Sequence, residues 1–93
     1  MQKKSAKKLN FYRKKVQKLD RELLALLKKR LDVVKRIGAL KVAEGLPLRD
    51  RTYENESIEK LADIAMRYGF SHEFVTRLFK EIMRYSLNSQ KRK

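Results

Sequence analysis

At 93 residues the chain has the length of one domain. It carries 25 Lys and Arg against 11 Asp and Glu, a formal net charge of +14, so its partner is expected to be anionic: nucleic acid, acidic lipid or a small metabolite. The chain has no cysteine, which excludes a disulfide framework and a thiolate metal site, and no run approaching 18 apolar residues, which excludes a membrane-spanning helix. The opening MQKKSAKKLNF is basic but has no apolar stretch and does not read as a secretory signal, so the expected compartment is the cytoplasm. A chain this short buries only roughly 60–65% of its extended surface, which makes a lone core marginal. The basic ends, 1–8 and 91–93, read as frayed, solvated tails of a single domain spanning 1–93.

The first predicted helix runs from about Ser5 to Glu44, with no proline and with Gly38 as its one glycine. Leu9, Tyr12, Val16, Leu19, Leu23, Leu26, Val33, Ile37 and Leu40 recur in steps of three and four, with Arg30 filling the gap before Val33. This is a heptad seam. Gly45 stands where a helix terminator belongs and Pro47 follows, so the helix stops there. Such a helix is roughly 55–60 Å long, whereas a compact chain of this size has a radius of gyration of about 12 Å. The seam therefore needs a cover from outside its own domain, most simply a second copy of the chain.

The corner GLPLRD leads to Asp50, a good N-cap, and to a second helix with Ile58, Leu61, Ala62 and Ala65 on one face. That helix ends near Tyr68 and Gly69. Ser71 caps a third helix running to about Gln90, with Phe74, Val75, Leu78, Phe79, Ile82 and Met83 as its apolar face. The expected fold class is all-α: one long and two shorter helices forming an intertwined homodimeric bundle.

Polar residues interrupt these apolar stripes. Arg30 sits in the seam, and no seam position near it carries a carboxylate. A lone polar seam residue can fix register; an anion bound within the bundle is the sharper reading, because a buried charge must be paired. Lys41 lies eleven residues on, which brings it back to within about 20° of the same direction. Arg13 is about 100° away from Arg30 around the helix, so it would reach a shared site only from a partner chain. Considered alone, Lys41 and Arg13 read as solvated side chains. In the third helix Ser86 and Gln90 continue the row of Phe74, Leu78 and Ile82, either because the stripe has run off the core or because both aim into a pocket. Asp50 and Glu54 face alike at the start of the second helix, as a cap and a complement to the helix dipole or as acceptors for a hydroxyl. His72 reads as a surface residue with no His or Cys company for metal or nucleophile chemistry.

Arg13 ahead of LDRELLALLKKR, then IGALK, then LPLRDRTYE, then FKEIMRYSLNSQ, in this order and spacing, resemble the all-helical (type II) chorismate mutase family. The resemblance covers Leu9 to Gln90 without a gap. It implies a three-helix chain in an intertwined dimer with two shared sites, and an isomerase that converts chorismate to prephenate by a Claisen rearrangement in aromatic amino acid biosynthesis. By position, Arg13 from one subunit and Arg30 from the other would clamp substrate carboxylates. Lys41 and Gln90 would donate to the ether oxygen whose bond breaks. Asp50, through its backbone, and Glu54 would hold the ring hydroxyl, and Ser86 would contact a carboxylate. The reaction needs no metal and no cofactor. One departure stands out: a DPxRE-like run is usual at the second helix start, and here Arg51 replaces the proline and Tyr53 the arginine. Arg49 and Arg51 are the candidates to replace that arginine.

Three rival readings differ in class. A nucleic-acid-binding helical dimer would want basic residues interleaved with exposed aromatics, and Tyr12, Phe74 and Phe79 lie on apolar stripes instead. Nucleic acid is thus not the expected partner. An isochorismate pyruvate lyase on the same fold separates from the mutase only by assay with both substrates. A regulatory helical dimer would have a dead site. With no dehydrogenase, dehydratase or regulatory domain attached, the chain is expected to be free-standing.

Overall fold

The computed structural model describes residues 3–91. Its helices are α1 (Lys3–Ala43), α2 (Arg51–Arg67) and α3 (His72–Lys91), and the described residues contain no strand. The all-α, long–short–short order expected from the sequence is what forms. α1 begins two residues before Ser5 and takes in Lys3 to Lys8, while Lys91 is the last residue of α3; the remaining basic-end residues lie outside the described range.

By contact the chain divides into two compact units, Met1–Val33 and Val34–Lys93. The first consists, where described, of α1 residues alone. Its seam residues Leu9, Tyr12, Val16, Leu19, Leu23 and Leu26 are between 49% and 60% exposed. Side-chain order here is local: the rings of Phe11 and Tyr12 meet edge-on, and the Lys15 ammonium lies 4.8 Å from the Phe11 ring centre. Exposure of a full heptad row is the state in which hydrophobic burial has yet to act.

The second unit holds the core, where α2 and α3 pack together. Ala62, Ala65 and Val75 are buried, with Leu61 and Phe79 half-buried against them. Two alanines at the centre let the helix backbones approach closely. The expected apolar face of α3 is correct for Val75, Phe79, Ile82 and Met83, but Phe74 and Leu78 are 47% and 42% exposed. The buried row steps through Val75, Phe79, Ile82 and Ser86 at helical spacing, leaving Phe74 and Leu78 on its flank. Phe74 stacks instead on Phe70, with ring centres 6.0 Å apart.

The ends of the elements follow from capping chemistry. Asp50 adopts an extended backbone and its carboxylate accepts from the Tyr53 N–H at 3.0 Å. Ser71 Oγ accepts from the Phe74 N–H at 3.1 Å. Both glycine terminators have positive φ, +70° at Gly45 and +84° at Gly69. The Leu46 N–H reaches back to the Lys41 carbonyl at 2.8 Å and the Phe70 N–H to the Ala65 carbonyl at 3.1 Å, the double wrap of a Schellman end. A Cβ at Gly69 would meet nothing within 4 Å, so only the backbone resists it. Gly69→Ala is therefore expected to destabilise the chain by about 1–2 kcal/mol, read as a lowered Tm with activity per folded molecule unchanged.

Candidate active site

Lys41 and Gln90, the two expected donors, are both half-buried and both held by main-chain carbonyls. Lys41 is in the last turn of α1. Its ammonium donates to the Leu48 carbonyl at 3.0 Å, which ties the helix end to the corner that follows. A cation at this end also complements the negative pole of the helix. Gln90 leaves α3 and crosses to α1, where its amide nitrogen donates to the Val34 carbonyl at 2.8 Å. The stripe of α3 thus does not run off into solvent: Ser86 is buried, at 5% exposure, and its hydroxyl donates to the Ile82 carbonyl at 2.8 Å.

The two carboxylates at the start of α2 divide their work. Asp50 Oδ1 serves the helix cap, and Asp50 is exposed. The Glu54 side chain is 23% exposed and forms an ion pair with Arg49, whose Nη2 lies 3.3 Å from Oε1. Of the two candidates to replace the missing arginine, it is Arg49 that carries a guanidinium to Glu54. Tyr53, at the arginine's position, is 66% exposed.

Hollows in the second unit include two that expected site residues line. One, of about 330 Å3, is bounded by Arg49, Arg51, Glu54 and Asn55 on the α2 side and by Lys80 and Arg84 on α3, with Ile58, Met83 and Leu87 as its apolar wall. A volume of this size is at the small end for a metabolite site. The other, of about 520 Å3, follows the corner and is lined by Lys41, Leu46, Pro47, Arg49, Asp50 and Arg51. Lys41 and Asp50 therefore share one hollow, Glu54 lines its neighbour, and Arg49 and Arg51 stand on both. Arg84 also pairs with Glu81, whose carboxyl is held below the usual carboxylate range by that hydrogen bond.

Arg13 and Arg30 belong to the first unit, where Arg13 is exposed and Arg30 half-buried on α1. His72 is exposed, with Nδ1 3.5 Å from the Thr76 hydroxyl oxygen. Among the described residues, no group of three or more His, Cys, Asp or Glu is placed to hold a metal, and no helix is long and apolar enough to cross a membrane.

Sequence reasoning missed or only half-read three features around these residues. The carbonyls of Val34 and Leu48 carry no side-chain signal. The Arg49–Glu54 pair has a five-residue spacing across a cap, which helical periodicity does not read. Gly38 is the one buried residue of α1, and its signal was present: a glycine in the middle of a helix asks for a reason.

The sequence model of the family described as Chorismate mutase type II matches residues 12–91. A bifunctional chorismate mutase/prephenate dehydratase of Escherichia coli K12 is 32% identical over 78 residues, 84% of this chain and 20% of that protein. The protein of the same description from Buchnera aphidicola of Acyrthosiphon pisum (strain APS) is 27% identical over 84 residues, 90% of this chain and 22% of that one. The chain thus spans about a fifth of the length of the curated relatives it matches. Among solved structures, form II of the chorismate mutase from Thermus thermophilus superposes with a TM-score of 0.85 at 37% identity, covering 92% of this chain and 97% of that one. Form I of the same enzyme gives 0.78 at 38% identity, covering 85% and 98%. With the helices, the spacing and the family match in agreement, the chain belongs to the type II chorismate mutase family.

Proposed function

We propose that this chain rearranges chorismate to prephenate in aromatic amino acid biosynthesis in the cytoplasm, as a homodimer whose two sites each take residues from both chains. The rearrangement is unimolecular and forms no bond to the protein. Its barrier falls when the reactive conformer is held and when charge building on the ether oxygen meets fixed donors. The observation that carries the reading is the pair of pinned donors. The Lys41 ammonium has three N–H groups and uses one on Leu48; the Gln90 amide has two and uses one on Val34. Each keeps a donor for the substrate and is held in place before substrate arrives, so little reorganisation is left to the reaction.

The remaining roles follow from charge and hydrogen bonding. Arg30 and the partner chain's copy of Arg13 suit bidentate grips on the two carboxylates. Ser86 contacts a carboxylate by turning its hydroxyl hydrogen away from Ile82. Glu54, oriented by Arg49, accepts from the ring hydroxyl beside the Asp50 backbone. The exposed seam of α1 supports the dimer, since a row of leucines at heptad spacing is stable when another helix covers it.

The test is an assay of the purified protein for chorismate loss and prephenate gain, run beside one for pyruvate release from isochorismate. Pyruvate without prephenate assigns the lyase; neither product means a dead site. Sharing of sites is checked by mixing two inactive variants. Arg13→Ala chains and Arg30→Ala chains, exchanged statistically, should recover about a quarter of wild-type activity, because half of the dimers are mixed and each has one intact site. No recovery after confirmed subunit exchange would remove the shared site.

A further inference from the structure

Gly38 occupies the middle of the second unit's stretch of α1, where glycine destabilises a helix relative to alanine. Its backbone does not require glycine, since the positive-φ glycines are Gly45 and Gly69 alone. What lies against it is Gln90. A Cβ built at Gly38 would stand 3.0 Å from Gln90 Cγ, 3.2 Å from Cδ and 3.3 Å from Cβ. Contacts between 3.0 and 3.4 Å are tighter than nine in ten real Cβ contacts, so Gln90 would have to give by a few tenths of an ångström, and the atoms that must move are the middle ones of the side chain, which carry the amide. The amide itself ends on the carbonyl of Val34, one turn earlier on α1 and on the same face.

We propose that Gly38 is a positioning residue for the reaction: its bare Cα is the saddle across which Gln90 lies, and Val34 is the stop at its end. This rests on the reading of Gln90 as a donor to the ether oxygen. The two contacts have separate effects. Because a carbonyl oxygen only accepts, the amide must present its NH2 to Val34, so the stop fixes which way round the amide sits. The saddle sets how far the amide stands from α1, and so where its second N–H is carried. A methyl group at residue 38 pushes Gln90 away from α1 by a few tenths of an ångström, loosens its hold on the stop, and shifts the second donor with it. Displacements of that size in a reacting geometry are costly.

The experiment is a cycle of Gly38→Ala, Gln90→Ala and the double variant, each assayed for kcat, KM and Tm. Gly38→Ala is expected to lower kcat by about tenfold to a hundredfold with a smaller change in KM. In the Gln90→Ala background the same change should cost less than about twofold and should raise Tm, since alanine is the better helix former once the amide is gone. A merely structural glycine would lower Tm in both backgrounds and leave kcat per folded molecule intact, which overturns the proposal. So does a Gly38→Ala protein as fast as wild type, or an equal loss of kcat in both backgrounds. If Gly38→Ala fails to fold, the double variant decides: recovery of folding there supports the saddle, and continued failure overturns it. Full activity of Gln90→Ala would instead sink the reading of Gln90 and the proposal with it, while the Tm cycle still reports whether the two residues touch.

Discussion

Arg30→Ala is expected to lower kcat/KM by about a hundredfold to a thousandfold while leaving Tm close to that of the wild type. Arg30 interrupts the heptad seam of α1 and is half-buried there. A seam position rewards an apolar residue, so a guanidinium at this place is poorly explained by stability. The proposed substrate has two carboxylates. Arginine meets a carboxylate with two parallel hydrogen bonds in one plane, and a lysine or a water cannot reproduce that. Truncation leaves a substrate carboxylate unmatched, so KM rises as well as kcat falling. The folded protein sheds the desolvation cost of the charged group and loses that group's own contacts, two effects of opposite sign that leave a small net change in Tm. Thermal melts and steady-state kinetics on the same preparation check both halves. A collapse of Tm, with the surviving folded fraction fully active, would make Arg30 a structural residue.

The second large effect is a change of pH dependence. An amide does not titrate, so the wild-type contribution of Gln90 is the same at all working pH values. Gln90→Glu keeps the size and alters the chemistry. An ionised glutamate only accepts hydrogen bonds, yet it would face both the Val34 carbonyl oxygen and an ether oxygen gaining negative charge. The variant should be slow at neutral pH and recover as pH falls toward the glutamate pKa, about 4.3 when unperturbed. The facing carbonyl favours the protonated form, which raises the folded-state value above that of the unfolded chain. The sign for stability follows: the folded variant holds its proton more tightly, so stability is highest in acid and declines as pH rises through the folded pKa. Recovery of rate is partial, because a carboxylic acid has one proton where the amide has two. The measurement is kcat/KM against pH for both proteins, with folding checked at each point. A variant as active as wild type at neutral pH, with no gain in acid, would show that residue 90 does not touch the reacting oxygen.

The helices and their ends were legible because they are local. Asp50 and Ser71 cap as their side chains suggest, and Gly45 and Gly69 take the left-handed backbone that a helix terminator needs. The buried positions Ile58, Ala62 and Ala65 follow from a period of 3.6 residues. Periodicity says which face is apolar but not what lies opposite. It therefore placed Phe74 and Leu78 inside, and it left open whether Ser86 and Gln90 faced a pocket or solvent. Gln90 finds its acceptor 56 residues away in the chain, a pairing that no window on one helix can contain. The Arg49–Glu54 pair was half-legible: the loss of arginine at Tyr53 raised the question, and side-chain reach across the cap answered it. The family resemblance supplied the roles of the site residues; the structure supplies the carbonyls and the glycine that hold two of them.

The exposed seam has a further consequence for how the protein must be handled. Among the described residues, the buried apolar set is Ile58, Ala62, Ala65 and Val75, with no leucine or aromatic ring among them. So small an interior leaves a separated subunit little to fold around, and the leucines of α1 would contribute only once they are covered. For the proposed dimer, dissociation and unfolding then become a single event, and dilution acts as a denaturant. Subunits would trade partners only as fast as the whole fold opens. Two folded variants stirred together in native buffer would exchange on the timescale of unfolding rather than of diffusion, so mixed dimers are best made by co-expression or by refolding the chains together.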